Sequence, residues 1–283
     1  MTSPISTNIV VIYHASCRDG MSAAYAAWKK FGDSATYLPS RTQAEPPEGL
    51  VDKELYILDY SYAKEVLDRL VAENKSVVVL DHHQSAREAV EAFPQNVFDL
   101  ERSGATLAWA YFHPGVPPPR IFAYIEEHDL WRDTLPESGA IAAAIGQYDF
   151  TSFASWDQLV ADAESDEGFA KLVAEGKVLR AYIDKHVEEL ATFAEKVECE
   201  GHRVLAVNCA RPYRSAVGSL LAERHPPFAI VWYRYGDAFH ISLRSVGEFD
   251  VAAIAEKYGG GGHRNAASIR CASFADLPFR FLS

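Results

Sequence analysis

The sequence predicts an α/β protein, in which a mainly parallel sheet flanked by helices is joined by a long helix to a smaller α/β C-terminal domain. Residues 8–113 alternate apolar runs with helix-like stretches, an order typical of βαβ units. The runs 9–13 and 77–80 are apolar throughout, as strands covered on both faces are. From 168 to 198, apolar residues recur at steps of three and four, which predicts a long amphipathic helix.

The first domain is expected to hold several strands and helices in alternation. The strands are predicted at 8–14, 35–39, 54–60, 76–82 and 96–100, and the helices at 20–31, 63–74 and 103–113. Ser103 is the expected N-cap of the last of these helices. Gly115 and the prolines at 117–119 then break the chain, and a helical segment containing 126–131 follows.

The composition changes after Gly201, where strand-like runs return. We predict strands at 203–208, 228–233 and 239–243, followed by a helix at 250–258. Gly236 and Asp237 have the composition of a hairpin turn between the last two strands. The domains are therefore placed at 1–190, including the connector helix, and at 200–283.

Composition limits the class of protein. The formal net charge is −12, whereas binding to long nucleic acid depends on phosphate neutralisation by Lys and Arg. No apolar run approaches the roughly 20 residues that span a bilayer, and Met1–Thr7 lacks the basic segment of a signal peptide. The four cysteines are scattered, which argues against a disulfide framework. We expect a cytoplasmic protein that binds neither membranes nor duplex nucleic acid.

Polar residues follow three of the predicted strands where each strand ends. Those residues are His14, Cys17 and Asp19 after the first strand, Asp59 after the third, and Asp81-His82-His83 after the fourth; Asp129 lies in the later helical segment. Ligands bind at the carboxyl ends of the strands in open α/β sheets. Carboxylates and imidazoles are the side chains that hold pairs of divalent metals in phosphoester-cleaving sites.

Each of these residues also has an ordinary structural interpretation when it is taken alone. His14 is a candidate for a backbone hydrogen bond, Asp19 for the N-cap of the helix that it precedes, and Asp59 and Asp129 for caps or ion pairs. Their joint placement at successive strand ends favours a metal site over these alternatives.

A second group of candidate binding residues lies in the C-terminal domain. Four glycines, Gly259–Gly262, are followed by His263 and Arg264, and Arg244 and Ser245 end a predicted strand. Backbone N–H groups of a glycine run, together with neighbouring cations, can bind an anion. The alternatives are a flexible loop in which the glycines cap the preceding helix, and a solvated strand end.

With these motifs, the chain resembles the DHH phosphoesterase family from about Ile9 to Ile269. The matching motifs are His14-x-x-Cys17-x-Asp19-Gly20, Ile57-Leu58-Asp59, Val79-Leu80-Asp81-His82-His83, Asp129-x-Trp131 and the glycine run ending in His263. The first four resemble the metal-binding DHH domain. The last, with Ser242-Leu243-Arg244-Ser245, resembles the DHH-associated C-terminal domain that closes over substrate.

The resemblance implies a binuclear centre, with Mn²⁺ as the expected metal, and a role for each matching residue. Asp59 is the implied bridging carboxylate and a catalytic residue, and His83 is the implied phosphate-facing histidine. The implied metal ligands are His14, Cys17 and Asp129 for one ion and Asp19 and His82 for the other. The implied substrate clamp is formed by Arg244, His263 and the glycines Gly260, Gly261 and Gly262, and the predicted substrate-binding residues also include Ser245 and Arg264.

Cys17 departs from the pattern of the family, because many members carry Asp at this position. A thiolate is a softer ligand than a carboxylate, and Mn²⁺ prefers oxygen. Either Cys17 binds metal and shifts the preference toward Zn²⁺ or Fe²⁺, or the first site is weaker and completed by water. The sequence leaves both alternatives open.

The expected function is a metal-dependent phosphodiesterase that hydrolyses dinucleotides or short single-stranded oligonucleotides by means of a metal-activated hydroxide. Alternatives within the class are polyphosphate, pyrophosphate or cyclic-dinucleotide hydrolysis. A different class also stays open, namely a non-catalytic nucleotide-binding protein with a decayed metal site. The sequence leaves the substrate length, a homodimer and the identity of the metal undecided.

Overall fold

The computed structural model describes residues 5–41, 45–132 and 134–282. The first four residues of the expected N-terminal segment lie outside the described residues. The chain forms two compact units, Met1–Arg180 and Ala181–Ser283. Within the described ranges, no helix is long and apolar enough to cross a bilayer.

A parallel sheet of five strands forms the centre of the first unit, as the sequence predicts. Its strands are β1 (Ile9–His14), β2 (Ala35–Ser40), β3 (Glu54–Leu58), β4 (Ser76–Asp81) and β5 (Asn96–Phe98). They lie in the order β2-β1-β3-β4-β5, and every neighbouring pair is parallel. This order places the ends of β1, β3 and β4 side by side.

Helices cover both faces of this sheet. They are α1 (Arg18–Phe31), α2 (Lys64–Glu73), α3 (Arg87–Glu91), α4 (Gly104–Phe112), α5 (Arg120–Asp129), α6 (Ser138–Ile145) and α7 (Phe153–Glu164). On one face, Val11 and Leu80 pack with side chains of α1, α4 and α5. On the other face, Val10 and Val79 pack with side chains of α2 and α3. Burial on both faces explains why residues 9–13 and 77–80 are apolar at every position.

The long helix α8 (Asp166–Ala191) ends earlier than the sequence predicts. Residues 195–199 form the strand β6 (Glu195–Cys199) instead of the last turns of the helix. Val197 and Cys199 are buried there in the core of the second unit. The prediction of helix up to residue 198 is wrong, because a short stretch with Phe193 and Val197 four residues apart also contains the two-residue alternation of a strand.

The second unit is built on a mostly antiparallel sheet of seven strands. Besides β6, these are β7 (His202–Asn208), β8 (Phe228–Tyr235), β9 (Ala238–Ser245), β10 (Gly261–His263), β11 (Ala266–Cys271) and β12 (Arg280–Phe281), in the order β10-β11-β9-β8-β7-β6-β12. The helix α9 (Arg214–Arg224) connects the parallel pair β7 and β8, and α10 (Ala252–Lys257) precedes β10. Gly236 and Asp237 form the predicted hairpin turn, since Tyr235 pairs with Ala238.

Candidate metal centre

The polar residues predicted from the sequence lie at the carboxyl edge of the first sheet. His14 is the last residue of β1, Asp81 is the last residue of β4, and Asp59 directly follows β3. The chain passes from β1 to β2 on one side of the sheet and from β3 to β4 on the other. Ligand sites of open α/β sheets form at such a switch point. His14 and Asp59 lie on either side of it.

Asp59 has an unusual backbone conformation. Its φ angle is 61°, in the left-handed region that side chains other than Gly, Asn and Asp seldom adopt. Its backbone N–H donates to the carbonyl of Leu80 at 2.9 Å, and the residue is only 1% exposed. The neighbouring strand therefore holds a strained turn in place, as is common at functional sites.

The Asp59 carboxylate lies between two histidines. Asp59 Oδ2 is 3.4 Å from His14 Nδ1, and Asp59 Oδ1 is 3.1 Å from His82 Nε2. His82 Nε2 is also 3.6 Å from Asp19 Oδ2 and 3.4 Å from Asp129 Oδ2. Each imidazole thus has carboxylate oxygens close to the nitrogen that a metal would bind.

Three overlapping trios of side chains place possible ligand atoms within 4.8 Å of one another. They are His14, Cys17 and Asp59; Asp59, His82 and His83; and Asp19, His82 and Asp129. Asp59 belongs to two of the trios, and so does His82. Asp129 is grouped with Asp19 and His82, whereas the resemblance implied that it shares a metal with His14 and Cys17.

Asp19 is positioned by a helix other than its own. It lies in the first turn of α1, and its carboxylate accepts the N–H groups of Gly104 at 2.6 Å and Ala105 at 2.9 Å at the start of α4. Ser103, the expected cap of α4, makes no capping hydrogen bond with its side chain. Asp19 therefore caps α4 from a distant part of the chain, and the positive end of that helix favours its ionised form.

Asp81 orients the histidine that follows His82. Its Oδ1 atom lies 2.7 Å from His83 Nδ1 and also accepts the backbone N–H groups of His82 and His83. Asp81 is fully buried, whereas His83 is partly exposed. A carboxylate that binds one ring nitrogen of a histidine fixes the orientation of the ring and the tautomer.

The pKa values describe a coupled network of charges in the metal-free protein. Burial alone would raise the pKa of Asp59, but the adjacent imidazoles of His14 and His82 hold it far below its usual range. Burial would lower the pKa of both histidines. The Asp59 carboxylate outweighs this effect and raises the pKa of His14 to about 11 and that of His82 to about 10.

The remaining acidic groups of the centre have raised pKa values. Burial and the negative charge of Asp59 raise the pKa of Asp19, of Asp129 and of the Cys17 thiol. The carboxylates of Asp19, Asp59 and Asp129 and the Cys17 thiol are therefore close together, and the two histidines compensate only part of the negative charge that they would carry when ionised. A bound cation would compensate the remainder and so favour the deprotonated form of every ligand.

The residues present fit divalent metal ions. His14 Nδ1, Asp59 Oδ2 and Asp129 Oδ2 are buried and have no hydrogen-bond partner among the described residues. Buried polar atoms are normally paired, so unpaired ones need an explanation. Their donor types, an imidazole nitrogen and carboxylate oxygens, are those that first-row divalent metals take.

Arg244, one of the predicted substrate-binding residues, is buried in β9 of the second unit. Its Nη1 atom donates to the carbonyl of Leu243 at 2.8 Å, and its Nη2 atom donates to Ser215 Oγ at 2.9 Å. Burial, together with the charge of Arg214, lowers the pKa of Arg244 to about 10. A Cβ at Gly218 would lie 2.8 Å from Arg244 Cγ, so glycine lets α9 pack against this side chain.

Part of the glycine run is a strand and not the open loop that the sequence suggested. Gly261, Gly262 and His263 form β10, which pairs with β11. A Cβ at Gly260 would lie 2.1 Å from the carbonyl oxygen of Ser268, and one at Gly262 would lie 2.4 Å from that of Ala266. These glycines are therefore required by close backbone packing, whatever they bind.

Two further predicted binding residues have partners within the second unit. The Ser245 hydroxyl donates to the carbonyl of Phe249 at 2.7 Å and accepts from Asn265 Nδ2 at 2.9 Å. Arg264 forms an exposed ion pair with Glu248. These contacts give Ser245 a structural role in the turn that follows β9.

Sequence reasoning missed several residues that position the centre. Asp81 belongs to the triplet Asp81-His82-His83, but the motifs imply no role for it in the metal centre. They imply none for Gly104 and Ala105, at the start of α4, either. Glu126 was missed as well; it accepts the backbone N–H of Ser103 at 3.0 Å and the Thr106 hydroxyl. Asp81 has a local signal, since it directly precedes the two histidines. The others act through contacts between distant segments, which one sequence does not reveal.

Comparisons with known proteins agree with the motifs. Residues 210–276 match the DHHA1 domain. A protein of Acanthamoeba polyphaga mimivirus, described as uncharacterized protein R106, is 27% identical over 296 residues, which cover 95% of this chain and 69% of that protein.

Two solved structures show the same fold. One is exonuclease RecJ bound to manganese, with a TM-score of 0.51 and 16% identity, covering 94% of this chain and 86% of that one. The other is the DHH domain of a protein described as a member of a family of ribosomal proteins, with a TM-score of 0.53 and 15% identity, covering 98% and 83%.

The fold and the side-chain set define a two-unit α/β protein with side chains that could hold metal ions at the switch point of its parallel sheet. The match of residues 210–276 to the DHHA1 domain lies within the second unit and agrees with the resemblance of the motifs to the DHH phosphoesterase family.

Proposed function

We propose that this chain is a metal-dependent phosphodiesterase that hydrolyses dinucleotides or short single-stranded oligonucleotides. The observation that carries the proposal is the group of three overlapping trios at the switch point of the sheet. Asp59 links the first trio to the second, and His82 links the second to the third. Buried unpaired ligand atoms, a strained aspartate and strongly shifted pKa values coincide at this one edge. Such a combination marks a functional site more often than a structural ion-pair network.

Two metal ions are the cofactors that the family resemblance implies, with Mn²⁺ as the expected metal. Divalent ions would supply Lewis acidity and a water of lowered pKa. His14, Cys17 and Asp59 would hold one ion, and Asp19, His82 and Asp129 the other. The two carboxylate oxygens of Asp59 lie 3.4 Å from His14 Nδ1 and 3.1 Å from His82 Nε2. One ion beside each histidine could therefore share this carboxylate, which supports a bridging role.

We expect His83 to donate a hydrogen bond from a ring N–H to the substrate. Burial lowers its pKa, but the neighbouring Asp81 carboxylate outweighs burial and raises it. His83 Nδ1–H donates to the Asp81 carboxylate, so Nε2 carries a proton in the imidazolium form, which the raised pKa favours, and this N–H can donate to a phosphoryl oxygen. A hydrogen bond of this kind is strongest when negative charge develops on that oxygen.

The second unit would bind the phosphate groups of the substrate through Arg244, His263 and the glycine backbone. Hydrogen bonds to the carbonyl of Leu243 and to Ser215 Oγ fix the orientation of the Arg244 guanidinium. A guanidinium binds phosphate oxygens in a fixed geometry. The close packing of Gly260 and Gly262 against β11 would keep the adjacent backbone in one conformation.

The charge of the chain favours a small substrate. With a formal net charge of −12, the protein as a whole repels a polyanion. A local metal centre can overcome that repulsion for a ligand with one or a few phosphates. Each further phosphate of a longer strand would need further Lys or Arg side chains.

The test is the release of mononucleotide from a labelled RNA dinucleotide and from a long single strand, with Mn²⁺ and with EDTA. Cleavage of the dinucleotide that needs Mn²⁺ and exceeds cleavage of the long strand supports the proposal. Equal or faster cleavage of the long strand contradicts the substrate assignment. Absence of all cleavage, with polyphosphate and cyclic dinucleotides as further substrates, contradicts the enzymatic function and favours a binding protein.

A further inference from the structure

We propose that Cys17 is a thiolate ligand, so that the two metal sites of this protein differ in chemistry. The trio of His14, Cys17 and Asp59 offers nitrogen, sulfur and oxygen, and we assign to it a borderline divalent metal such as Zn²⁺ or Co²⁺. The trio of Asp19, His82 and Asp129 offers nitrogen and oxygen alone, which suits Mn²⁺. The inference rests on the proposed function, since it concerns the same centre.

The local backbone brings the thiol to the histidine. Ser16 has a φ of 56°, and Cys17 is the extended residue directly before α1. A Cβ at Gly20 would lie 2.2 Å from the carbonyl oxygen of His14, so the segment folds tightly back on the end of β1. Possible ligand atoms of His14 and Cys17 lie within 4.8 Å of each other.

Unpaired ligand atoms lie beside this thiol. His14 Nδ1 and Asp59 Oδ2 are buried without a hydrogen-bond partner in the described part of the chain, and they are 3.4 Å apart. A cysteine that merely filled space would not require a buried imidazole nitrogen and a buried carboxylate oxygen next to it that form an ion pair but no well-aligned hydrogen bond. The three donors together match the mixed ligand sets that zinc takes in proteins.

The other cysteines differ from Cys17 in their surroundings. Cys199, Cys209 and Cys271 are buried in the second unit, and none belongs to the ligand trios of the described residues. Cys199 and Cys271 lie in one apolar core and Cys209 in another. They behave as small apolar side chains and therefore serve as internal controls.

Binding of a metal by Cys17 requires the loss of one proton. A sulfur–metal bond forms, and the thiol proton leaves for solvent, so no oxidant or reductant takes part. The neighbouring negative charge of Asp59 opposes a free thiolate, whereas a divalent cation compensates both negative groups. The thiolate is therefore expected only when metal is bound.

The first experiment is a titration of the metal-free full-length chain with Co²⁺, read by absorption. A sulfur-to-cobalt charge-transfer band is expected in the wild type and in Cys209→Ser, and it should be absent in Cys17→Ser and Cys17→Asp. The absence of the band from wild-type protein with bound Co²⁺ would overturn the proposal. So would its persistence in the Cys17→Ser and Cys17→Asp variants.

The second experiment measures which metals are retained after dialysis against equal concentrations of Mn²⁺ and Zn²⁺. Because most sites bind Zn²⁺ more tightly than Mn²⁺, the comparison of variants is the readout: Cys17→Asp should raise the ratio of bound Mn²⁺ to bound Zn²⁺ by about tenfold or more relative to the wild type. Equal ratios in both proteins would contradict the inference. Circular dichroism of each variant checks that it is folded.

The cobalt titration and the phosphoester cleavage assay test this inference and the proposed function separately. A thiolate band in a protein that cleaves none of the phosphoesters would uphold the ligand assignment and remove the enzymatic proposal. Manganese-dependent cleavage by a protein without the band would do the reverse.

Discussion

Gly104 lies so close to Asp59 that a Cβ at position 104 would be 2.6 Å from the Asp59 Cβ and 2.8 Å from Oδ1. The N–H of the same glycine donates to Asp19 Oδ2 at 2.6 Å. A single residue without a side chain thus donates to one carboxylate and leaves room for another, one from each of the proposed metal sites. Asp19 loses two hydrogen bonds if α4 moves away.

Replacement of Gly104 by alanine should displace Asp59 and weaken metal binding. Overpacking of a tight site costs about 1–3 kcal/mol, and we expect a loss of that size in the free energy of unfolding. Metal affinity should fall by about tenfold or more. Denaturant unfolding and metal content after dialysis measure the two effects. Gly115→Ala is the control: Gly115 has a φ of 79° but no neighbour within 4 Å, so this variant should lose stability and retain metal.

Substitution of Asp59 by asparagine tests the central carboxylate without disturbing its backbone. Asparagine tolerates the left-handed conformation that residue 59 adopts, whereas alanine would add strain. Loss of the charge should lower turnover by about 1,000-fold, since metal catalysis contributes several kcal/mol. Asp52→Asn is the matched control, because Asp52 also has a positive φ but is exposed. Turnover by Asp59→Asn at the wild-type rate would contradict the role of the metal centre.

The parallel sheet and its polar edge could be predicted from the sequence because both depend on local signals. Each of the strands β1, β3 and β4 leads into a residue whose burial is costly without a partner, such as Asp59 or His82. Parallel strands bring their carboxyl ends together, so residues that are 23 positions apart in the chain meet within 3.1 Å. The fold supplies the long-range geometry once the strands are recognised.

The remaining features depend on contacts that local patterns do not encode. Asp19 caps α4 instead of α1, and only the packing of these two helices decides this. Asp129 lies beside His82, because the packing of α5 places the end of that helix there. The end of α8 was missed because the last apolar residues also fit a strand, and pairing of β6 with β7 decided between the two.

Asp81→Asn should reduce turnover with little loss of metal. The carboxylate raises the pKa of His83, so its removal should let that pKa fall. The proton on His83 Nε2 would then be lost at a lower pH, and the alkaline limb of the pH–rate profile should shift to lower pH. We expect kcat to fall by about 10- to 100-fold, as for other residues that orient a site histidine. An unchanged pH profile would contradict the positioning role of Asp81.

Arg244→Ala should raise KM by about 10- to 100-fold while metal content stays constant, because a charge-assisted hydrogen bond to phosphate is lost. Arg244 is buried and packs against Gly218, so Arg244→Lys is a second variant that keeps the charge and most of the volume. The control is Arg270→Ala, which removes an exposed arginine of the same sheet. Steady-state kinetics and metal analysis of all three proteins are required. An unchanged KM in both Arg244 variants would exclude a role in substrate binding.

Metal affinity should rise steeply with pH. The pKa values of about 11 for His14 and about 10 for His82 mean that both imidazoles carry an extra proton near neutral pH in the metal-free protein. Metal binding needs the neutral imidazoles, so each ion displaces at least one imidazole proton, and the affinity for each ion should increase by about tenfold or more per pH unit below those pKa values. Calorimetric titration with Mn²⁺ in two buffers of different ionisation enthalpy counts the released protons. His14→Gln should release fewer protons than the wild type, whereas His186→Gln, in α8, should match it. An affinity that does not change with pH would show that the two histidines are not ligands.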